Sequence, residues 1–440
     1  MSRGGCSNAT PQKYDDGLSL VLRRSLTLVP KHCSGKWVVC QIGAREHYAI
    51  PRALHQAGQL AALVTDIWCP PSSPLSMMPI GNRIRDRWHP ELDNATVIAP
   101  NLAMLAFEGW ARVRGLRGWS LIVARNQFFQ HRAIRLIQSL SRRDASISYL
   151  FSYSYAANDL LKFARSKEWT SILGQIDPGP EEERIVAHEH TLYPGLGSRW
   201  RPAPSKYWSS WREEIALSDR IVVNSPWSQE CLMKEAISDS KLQVIPLVYE
   251  RPIQPVHSLH NSLAIHPRLY EKNCSNLTVL FLGQINLRKG IGRLLDAMRL
   301  LKADSIELIL AGPTEIDPSA WADLPNVKWI GTIARSAIGP VYENADVFIL
   351  PTLSDGFAIT QLEALAYHCP VLASINCGRV VRDGENGWLL KDCTTEEIQH
   401  SLKRLIECRK SLKTIVAAQL PKTSTIQSLA AALESLAEQN

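Results

Sequence analysis

Short apolar runs alternate along this chain with longer segments in which apolar residues recur every three or four positions. Such runs are typical of buried parallel strands, and the longer segments are typical of the helices that connect them. The runs that predict strands are 37–42, 63–66, 121–124, 147–151, 172–176, 221–224, 242–245, 278–282, 306–311, 327–330, 347–350 and 371–373. The pattern therefore predicts an α/β protein with parallel sheets.

The alternation stops between residues 249 and 277, where prolines, histidines, asparagines and serines dominate. Because 440 residues suffice for two domains with separate cores, we interpret this stretch as a linker. The expected segments are a polar extension at 1–34, a first domain at 35–250, a linker at 251–276, a second domain at 277–420 and a terminal helix at 421–440.

The net charge is +7, and arginines concentrate between residues 112 and 143, with Trp110, Trp119, Phe128 and Phe129 beside them. A basic face with aromatic edges suits an anionic partner, either a phospholipid surface or a phosphorylated acceptor. No nucleic-acid motif accompanies it, so nucleic acid is disfavoured. The alternative is a solvated surface above buried tryptophans.

No run reaches the length of a membrane span, and the ten cysteines form no C-x-x-C pair. We therefore expect a cytoplasmic protein with reduced thiols, held peripherally at the inner membrane face by the arginine-rich stretch.

The segment FLGQINLRKG, residues 281–290, combines a strand end at Gly283 with a helix start near Gly290. A helix start offers free N–H groups, and Arg288 and Lys289 add positive charge beside it. This combination predicts a phosphate site, although basic residues at a helix start are also common on ordinary surfaces.

Two further turns of the second half carry residues suited to a sugar nucleotide. Gly312 follows a strand and permits close approach of the backbone to a ligand, or simply a tight turn. The loop 355–360 leads into a helix with Glu363 in its first turns. Its N–H groups suit a diphosphate, while the carboxylates of Asp355 and Glu363 suit sugar and ribose hydroxyls.

The first half carries weaker signals. Its first strand ends at Gly43 without a G-x-G-x-x-G fingerprint, which disfavours a nicotinamide site. His47 is interpreted as a structural rather than a functional side chain. His188, Glu189 and His190 form a cluster, but histidines two positions apart do not share a helix face, so we expect no metal there.

The second half resembles the nucleotide-sugar-binding domain of glycosyltransferase family 4, the retaining enzymes of GT-B fold. The matching pieces, in the family's order, are LGQINLRKG, LAGP, VKWIGTI, ADVFILPTLSDGFAITQLEALAYHCPVLAS and DGENGWL. The first half is similar more loosely, through IGAREHYAIPRALHQAG, RIVVNSPWS and LQVIPLVYE. The resemblance implies two Rossmann-like domains facing across a cleft, with the donor held by the second domain and the acceptor by the first.

The resemblance also implies roles for individual residues. Lys289 is expected at the donor diphosphate, Asp355 at the transferred sugar and Glu363 at the ribose, with Asp355 and Lys289 as catalytic residues. The remaining expected donor contacts are Gly43, Gln284, Arg288, Gly312, Ile333, Gly356, Phe357, Ala358, Ile359 and Thr360.

Two positions depart from the family pattern. The family's acidic pair begins with glutamate, whereas this chain has Asp355, whose carboxylate is set back by about 1.5 Å. Gln284 stands where the family has arginine, and Arg288 is expected to compensate. The candidates for the histidine that many relatives place near the donor sugar are His47, His188 and His190.

The expected function is a retaining, metal-independent glycosyltransferase without a cofactor, which moves a sugar from a nucleotide-diphosphate donor to a hydroxyl of a glycan or lipid-linked acceptor. The alternative is a non-catalytic relative that binds glycans or sugar nucleotides, which the two departures favour. A sugar-nucleotide epimerase of the same fold is a third, weaker alternative.

Overall fold

The computed structural model describes residues 35–77, 84, 87–197, 200–251, 275–409, 412, 421 and 424–438. The expected extension at 1–34 and nearly all of the expected linker at 251–276 lie outside these residues.

The first domain contains a seven-stranded sheet in which all neighbouring strands are parallel. Its strands are β1 Lys36–Gln41, β2 Leu60–Thr65, β3 Val97–Ile98, β4 Ile147–Tyr153, β5 Thr170–Gln175, β6 Arg220–Val223 and β7 Leu242–Val244, in the order β3-β2-β1-β4-β5-β6-β7. Its helices are α1 Ala49–Gln56, α2 Asn101–Val113, α3 Gly118–Ser141, α4 Asn158–Ser166, α5 Pro180–Leu192, α6 Ser205–Leu217 and α7 Pro226–Lys234.

The second domain contains a six-stranded parallel sheet in the order β10-β9-β8-β11-β12-β13. Its strands are β8 Leu277–Leu282, β9 Ile306–Ala311, β10 Val327–Trp329, β11 Val347–Leu350, β12 Val371–Ser374 and β13 Gly387–Leu390. The helices that follow in the chain are α8 Ile291–Leu300, α9 Ile338–Asn344, α10 Thr360–Ala366, α11 Thr395–Glu407 and α12 Ile426–Glu438.

The second sheet has a hydrophobic core on each face. Leu294 and Leu402 pack with Val279 in one core, and Tyr342 and Leu362 pack with Phe348 in the other. Burial on both faces explains why these strands appear in the sequence as continuous apolar runs rather than alternating ones.

The apolar run at 121–124 was predicted as a strand, and this prediction was wrong, because the run lies inside helix α3. Phe129, Ala133 and Ile137 of that helix are buried at a helical spacing. Four apolar residues in a row do not distinguish a strand from part of a long helix. Strands β3 and β13 were not predicted; both are short and lie at sheet edges, where the apolar signal is weak.

The strand order reverses between β1 and β4 in the first sheet and between β8 and β11 in the second. A crevice opens at the carboxyl ends of the strands at such a reversal, which is where open parallel sheets bind ligands. The predicted terminal helix is present as α12, and it packs on α1 of the first domain. There the Gln59 amide donates a hydrogen bond of 3.0 Å to the Glu434 carboxylate.

Candidate functional site

The crevice of the second sheet is built by two turns that bind each other. One turn follows β8 and carries Arg288, whose carbonyl accepts hydrogen bonds from the Leu353 N–H at 2.9 Å and the Thr352 hydroxyl at 3.3 Å. Gly290 directly precedes α8 and lies in the left-handed region, with φ of +72°, and a Cβ atom there would lie 2.0 Å from the Pro351 carbonyl oxygen. The absence of a side chain at Gly290 therefore allows the two turns to pack.

This packing brings together three predicted site residues. The Lys289 ammonium and the Arg288 guanidinium both contact the same oxygen of Asp355, the Arg288 nitrogen at 3.0 Å. Burial alone would raise the pKa of Asp355, but the two cations and the Phe357 N–H outweigh it and hold that pKa well below its usual range. Asp355 is therefore ionised at neutral pH and orients both cations.

Two carboxyl groups of the first domain interact with Arg288. Glu182, in the first turn of α5, lies 3.7 Å from the Arg288 guanidinium. Burial raises the pKa of Glu182 to about 8, with further increases from Asp177 and Asp355, and Arg288 offsets only part of this. Burial also raises the pKa of Asp177. Neither residue was predicted, although the run of three glutamates in residues 181–183, in the first turn of α5, was a usable signal.

The loop after β11 is held against the first domain. The Trp227 indole N–H donates to the Ser354 hydroxyl at 3.1 Å, and the Ser228 hydroxyl donates to the Gly356 carbonyl at 3.3 Å. A Cβ atom at Gly356 would lie 2.2 Å from the Ile176 carbonyl oxygen. The predicted site residue Gly356 is thus required for the contact between the domains.

The other residues of this loop differ in what they can offer a ligand. Phe357 packs its ring in the core and donates its N–H to Asp355 at 3.2 Å. Ala358 adopts a φ of +62°, which is unfavourable for a residue with a Cβ atom. Within the described part of the chain, the N–H groups of Gly356, Ala358, Ile359 and Thr360 have no protein acceptor. These N–H groups are available to a ligand here.

Glu363 is buried beside the loop and accepts a hydrogen bond of 3.1 Å from the Tyr342 hydroxyl. Burial raises the pKa of Glu363, and the Tyr342 hydrogen bond and the charge of Arg335 counteract part of the increase. Arg335 follows Ile333 by two positions and contacts the His47 ring of the first domain. His47 and Arg335 thus join the domains near Glu363, and Arg335 was missed because nothing in its local sequence distinguishes it.

The turn after β1 is strained. Gly43 has a φ of +85° and donates its N–H to the Asp66 carboxylate at 2.8 Å. Glu46, His47 and Tyr48 follow with φ of 51°, 52° and 61°, and each left-handed residue of this kind costs about 1–2 kcal/mol. Burial, together with nearby positive charges, lowers the pKa of His47 to about 4, so its ring is neutral at pH 7.

Several predicted site residues do not join this cluster. Gln284 is exposed and contacts Glu315. Glycine is required at position 312 by packing, because a Cβ atom there would lie 1.9 Å from the Gly283 carbonyl oxygen. This contact between two strand ends accounts for the glycine, and no ligand is needed to explain it.

The histidine cluster of α5 points in three directions, as consecutive helix positions must. His188 is exposed, and His190 stacks on Trp200 with ring centres 4.8 Å apart. Glu189 is buried and binds the Arg293 guanidinium of α8 through two hydrogen bonds of 2.9 and 2.6 Å. Among the described residues no group of acidic, histidine and cysteine side chains is arranged to hold a metal ion.

A cavity of about 230 Å³ opens next to Arg288, between α5, α6 and the turn after β8. Aromatic rings and carboxyl groups dominate its walls. These are Trp119, Tyr155, Trp200, Tyr207 and Trp208 with Asp177, Glu182, Glu183 and Glu315. A surface of this composition suits a polyhydroxylated ligand without negative charge, because rings stack on sugar faces and carboxylates accept from hydroxyl groups.

Residues 266–419 match the family described as Glycosyl transferases group 1. The chain is 24% identical to the capsular polysaccharide biosynthesis glycosyltransferase CapM of Staphylococcus aureus, over 46% of this chain and 57% of that protein. It is 25% identical to the N,N'-diacetylbacillosaminyl-diphospho-undecaprenol alpha-1,3-N-acetylgalactosaminyltransferase of Campylobacter jejuni, over 30% of this chain and 36% of that protein. The chain spans about half the length of the curated relatives it matches.

Solved structures support the fold over nearly the whole chain. Anabaena Alr3699/HepE in complex with UDP has a TM-score of 0.55 at 14% identity and covers 92% of this chain and 99% of its own. The catalytic domain of starch synthase IV from Arabidopsis thaliana has a TM-score of 0.60 at 11% identity, with 92% and 99% coverage. The architecture of two Rossmann-like domains predicted from the sequence is therefore confirmed, in the GT-B fold that these solved structures share.

Proposed function

We propose that this chain is a retaining glycosyltransferase that transfers a sugar from a nucleotide-diphosphate donor to a hydroxyl group of a glycan or lipid-linked acceptor. The observation that carries the proposal is the cluster of Lys289, Arg288 and Asp355 at the strand-order reversal of the second sheet. Two cations held at the end of parallel strands suit a diphosphate, and an adjacent carboxylate suits the hydroxyl groups of a sugar.

In the proposed reaction, the bond between the anomeric carbon and the β-phosphate oxygen breaks. The acceptor oxygen bonds to the same face of the anomeric carbon, and its proton passes to the leaving phosphate. Lys289 and Arg288 stabilise the negative charge that develops on that phosphate. Because these side chains supply two positive charges in a partly buried site, the proposal requires no metal ion.

When a donor binds, its diphosphate competes with Asp355 for contacts with Lys289 and Arg288. In this structure the single negative charge of Asp355 is shared between Lys289 and Arg288, so we infer that a bound diphosphate takes over part of these contacts. Asp355 then becomes available to the hydroxyl groups of the transferred sugar. Glu363, buried with Tyr342, is the proposed ligand of the ribose.

We place the acceptor in the aromatic and acidic cavity beside Arg288, because it adjoins the proposed position of the leaving phosphate. Those of its carboxyl groups that stay ionised disfavour an acceptor that carries a phosphate or an acidic sugar at the reacting end. The names of two relatives, a capsular polysaccharide enzyme and an enzyme acting on an undecaprenol-linked sugar, support glycan or lipid-linked acceptors.

The alternative is a non-catalytic protein that binds sugar nucleotides or glycans. The observation that favours it is Gln284, which contacts Glu315 and adds no cation to the diphosphate site. The two functions differ in turnover: only the transferase releases free nucleotide diphosphate at a rate that depends on an added acceptor.

The first experiment measures thermal stabilisation by UDP, GDP, ADP and their sugar conjugates, with and without EDTA. We expect one base to stabilise the protein and the shift to survive EDTA. Lys289→Ala should weaken that binding by about 10- to 100-fold, because a charge-assisted contact is lost. Lys403→Ala, at an exposed lysine of α11, is the matched control and should bind as the unaltered protein does.

Unchanged nucleotide binding in both Lys289→Ala and Glu363→Ala would contradict the site. A shift that disappears with EDTA would contradict the metal-independent mechanism alone. Binding without turnover on any glycan or lipid-linked acceptor would favour the non-catalytic alternative.

A further inference from the structure

The positive charge of this protein is concentrated in one part of the first domain. Residues 101–143, which contain α2 and α3 and are called the α2–α3 segment below, hold eight arginines, one glutamate and no lysine or aspartate. Their net charge is 8 − 1 = +7, which equals the net charge of the whole chain. The remaining residues therefore sum to zero, and this segment carries an excess of positive charge that attracts anionic surfaces.

Helix α2 is apolar on two faces. Its inner face buries Met104, Phe107 and Ala111 against the domain. Its outer face is formed by Leu102, Ala106, Gly109 and Val113, which follow the helical repeat and are all exposed. Leu102 is 79% exposed and Val113 is 87% exposed, and Trp110 stands beside the stripe at 49%. An aliphatic stripe this exposed has no role in the packing of the described residues.

Six arginines of the α2–α3 segment are free to bind a partner, and Arg112 and Arg114 lie at the end of α2. Arg112, Arg114, Arg117, Arg135, Arg142 and Arg143 are exposed, and none forms an ion pair with another described residue. The only acidic side chain of the segment, Glu108, is already bound to Arg125 at 2.5 Å. The Arg114 guanidinium lies 5.8 Å from the centre of the Trp110 ring. Thus an indole, aliphatic side chains and unneutralised guanidinium groups meet at the end of α2.

We propose that the outer face of α2 inserts into the headgroup region of an anionic phospholipid bilayer, while Arg112, Arg114 and Arg117 bind the lipid phosphates. With 13 residues α2 is about 20 Å long, which suits a helix lying in the plane of the membrane surface. No described helix is long and apolar enough to cross a membrane. Two copies of this face would repel each other through their like charges, which disfavours self-association. A nucleic acid would leave Leu102 and Val113 exposed to water.

The test measures co-sedimentation of the full chain with vesicles of phosphatidylcholine, alone or mixed with phosphatidylglycerol. We expect binding only to the mixed vesicles, and weaker binding at high salt. The double variant Leu102→Ser/Val113→Ser removes the apolar stripe and should reduce binding by about tenfold or more at any salt concentration. The triple variant Arg112→Glu/Arg114→Glu/Arg117→Glu should remove the preference for phosphatidylglycerol.

Matched controls are Leu300→Ser, at an exposed leucine of α8, and Lys403→Glu, at an exposed lysine of α11; both should bind vesicles normally. Each variant is also tested for stabilisation by the nucleotide that binds the unaltered protein or, if none binds, for an unchanged melting temperature. These readouts separate failure of the membrane proposal from unfolding and from failure of the proposed function. Vesicle binding that is unaffected by the leucine and valine changes, or equal on both vesicle types, would overturn the proposal.

Discussion

At the scale of single residues, Asp355 and Glu182 respond in opposite ways to the same arginine. Asp355 contacts both Arg288 and Lys289, and its pKa is held far below the usual range. Glu182 is 3.7 Å from Arg288, which already binds Asp355, so burial prevails and raises the pKa of Glu182 to about 8. Near neutral pH the cluster therefore contains one ionised carboxylate and one that is partly protonated.

A prediction follows for the pH dependence of stability. A raised pKa in the folded state means that Glu182 contributes stability fully below its unfolded pKa of about 4.5, and this contribution is lost as the pH rises towards 8. The melting temperature of the unaltered protein, measured relative to that of Glu182→Gln, should therefore fall as the pH rises from about 5 to about 8.

Glu181→Gln is the neighbouring control for this measurement. The Lys234 hydrogen bond, with Arg184, lowers the pKa of Glu181 below its usual value. Its contribution to stability is present above the unfolded pKa and disappears only at more acidic pH. The difference between Glu181→Gln and the unaltered protein should therefore stay constant over that interval, and a constant difference for Glu182→Gln as well would contradict the raised pKa.

At the scale of elements, the start of α8 depends on one glycine. Gly290 combines a φ of +72° with a position where a Cβ atom would meet the Pro351 carbonyl oxygen at 2.0 Å. Gly58, after α1, has nearly the same φ of +70° but no heavy atom within 4 Å of a Cβ position. Substitutions at Gly58 and Gly290 therefore distinguish the cost of backbone strain alone from that of strain combined with steric overlap.

We expect Gly58→Ala to lower the free energy of unfolding by about 1 kcal/mol, the cost of a left-handed alanine. Gly290→Ala should lower it by about 1–3 kcal/mol more, because the Pro351 carbonyl must also move. It should weaken nucleotide binding too, since Lys289 is the preceding residue. Urea unfolding of both variants measures the difference, and equal losses would show that the turn tolerates a side chain at Gly290.

At the scale of the whole molecule, the two domains are joined by buried contacts far apart in the chain. Glu189 of α5 binds Arg293 of α8. The terminal helix α12 returns to α1 of the first domain and buries Leu429, Leu433 and Leu436. Helix α12 therefore contributes to the stability of the first domain.

Truncation of a buried side chain of α12 should lower the stability of the protein. Leu433 is fully buried, so Leu433→Ala should lower the free energy of unfolding by about 2–5 kcal/mol. Leu300→Ala removes the same atoms from an exposed position and should change stability by about 0.5 kcal/mol or less. Chemical denaturation measures both, and similar small losses would contradict the packing of α12.

The candidate site was predictable where its residues belong to one continuous turn. The strand, glycine and cation pattern of 281–290 and the loop 355–360 with Glu363 both appear in the structure at the carboxyl ends of β8 and β11. Glu182, Asp177 and Arg335 were missed, because they reach the site from elements that lie distant in the chain. The glutamate run at 181–183 signals an acidic helix start, but it does not show that Glu182 meets Arg288, and the sequence around Arg335 does not show that it meets His47.

The sequence by itself determined the α/β class, the two parallel sheets and the turns that carry Lys289 and Asp355. These depend on apolar periodicity and turn residues, which act over a few positions. Only the tertiary structure decided that Asp355 contacts both Lys289 and Arg288, that 121–124 is helical, and which face of α2 stays in water. Charge pairing and exposure are decided by residues far apart in the chain, so no local pattern determines them.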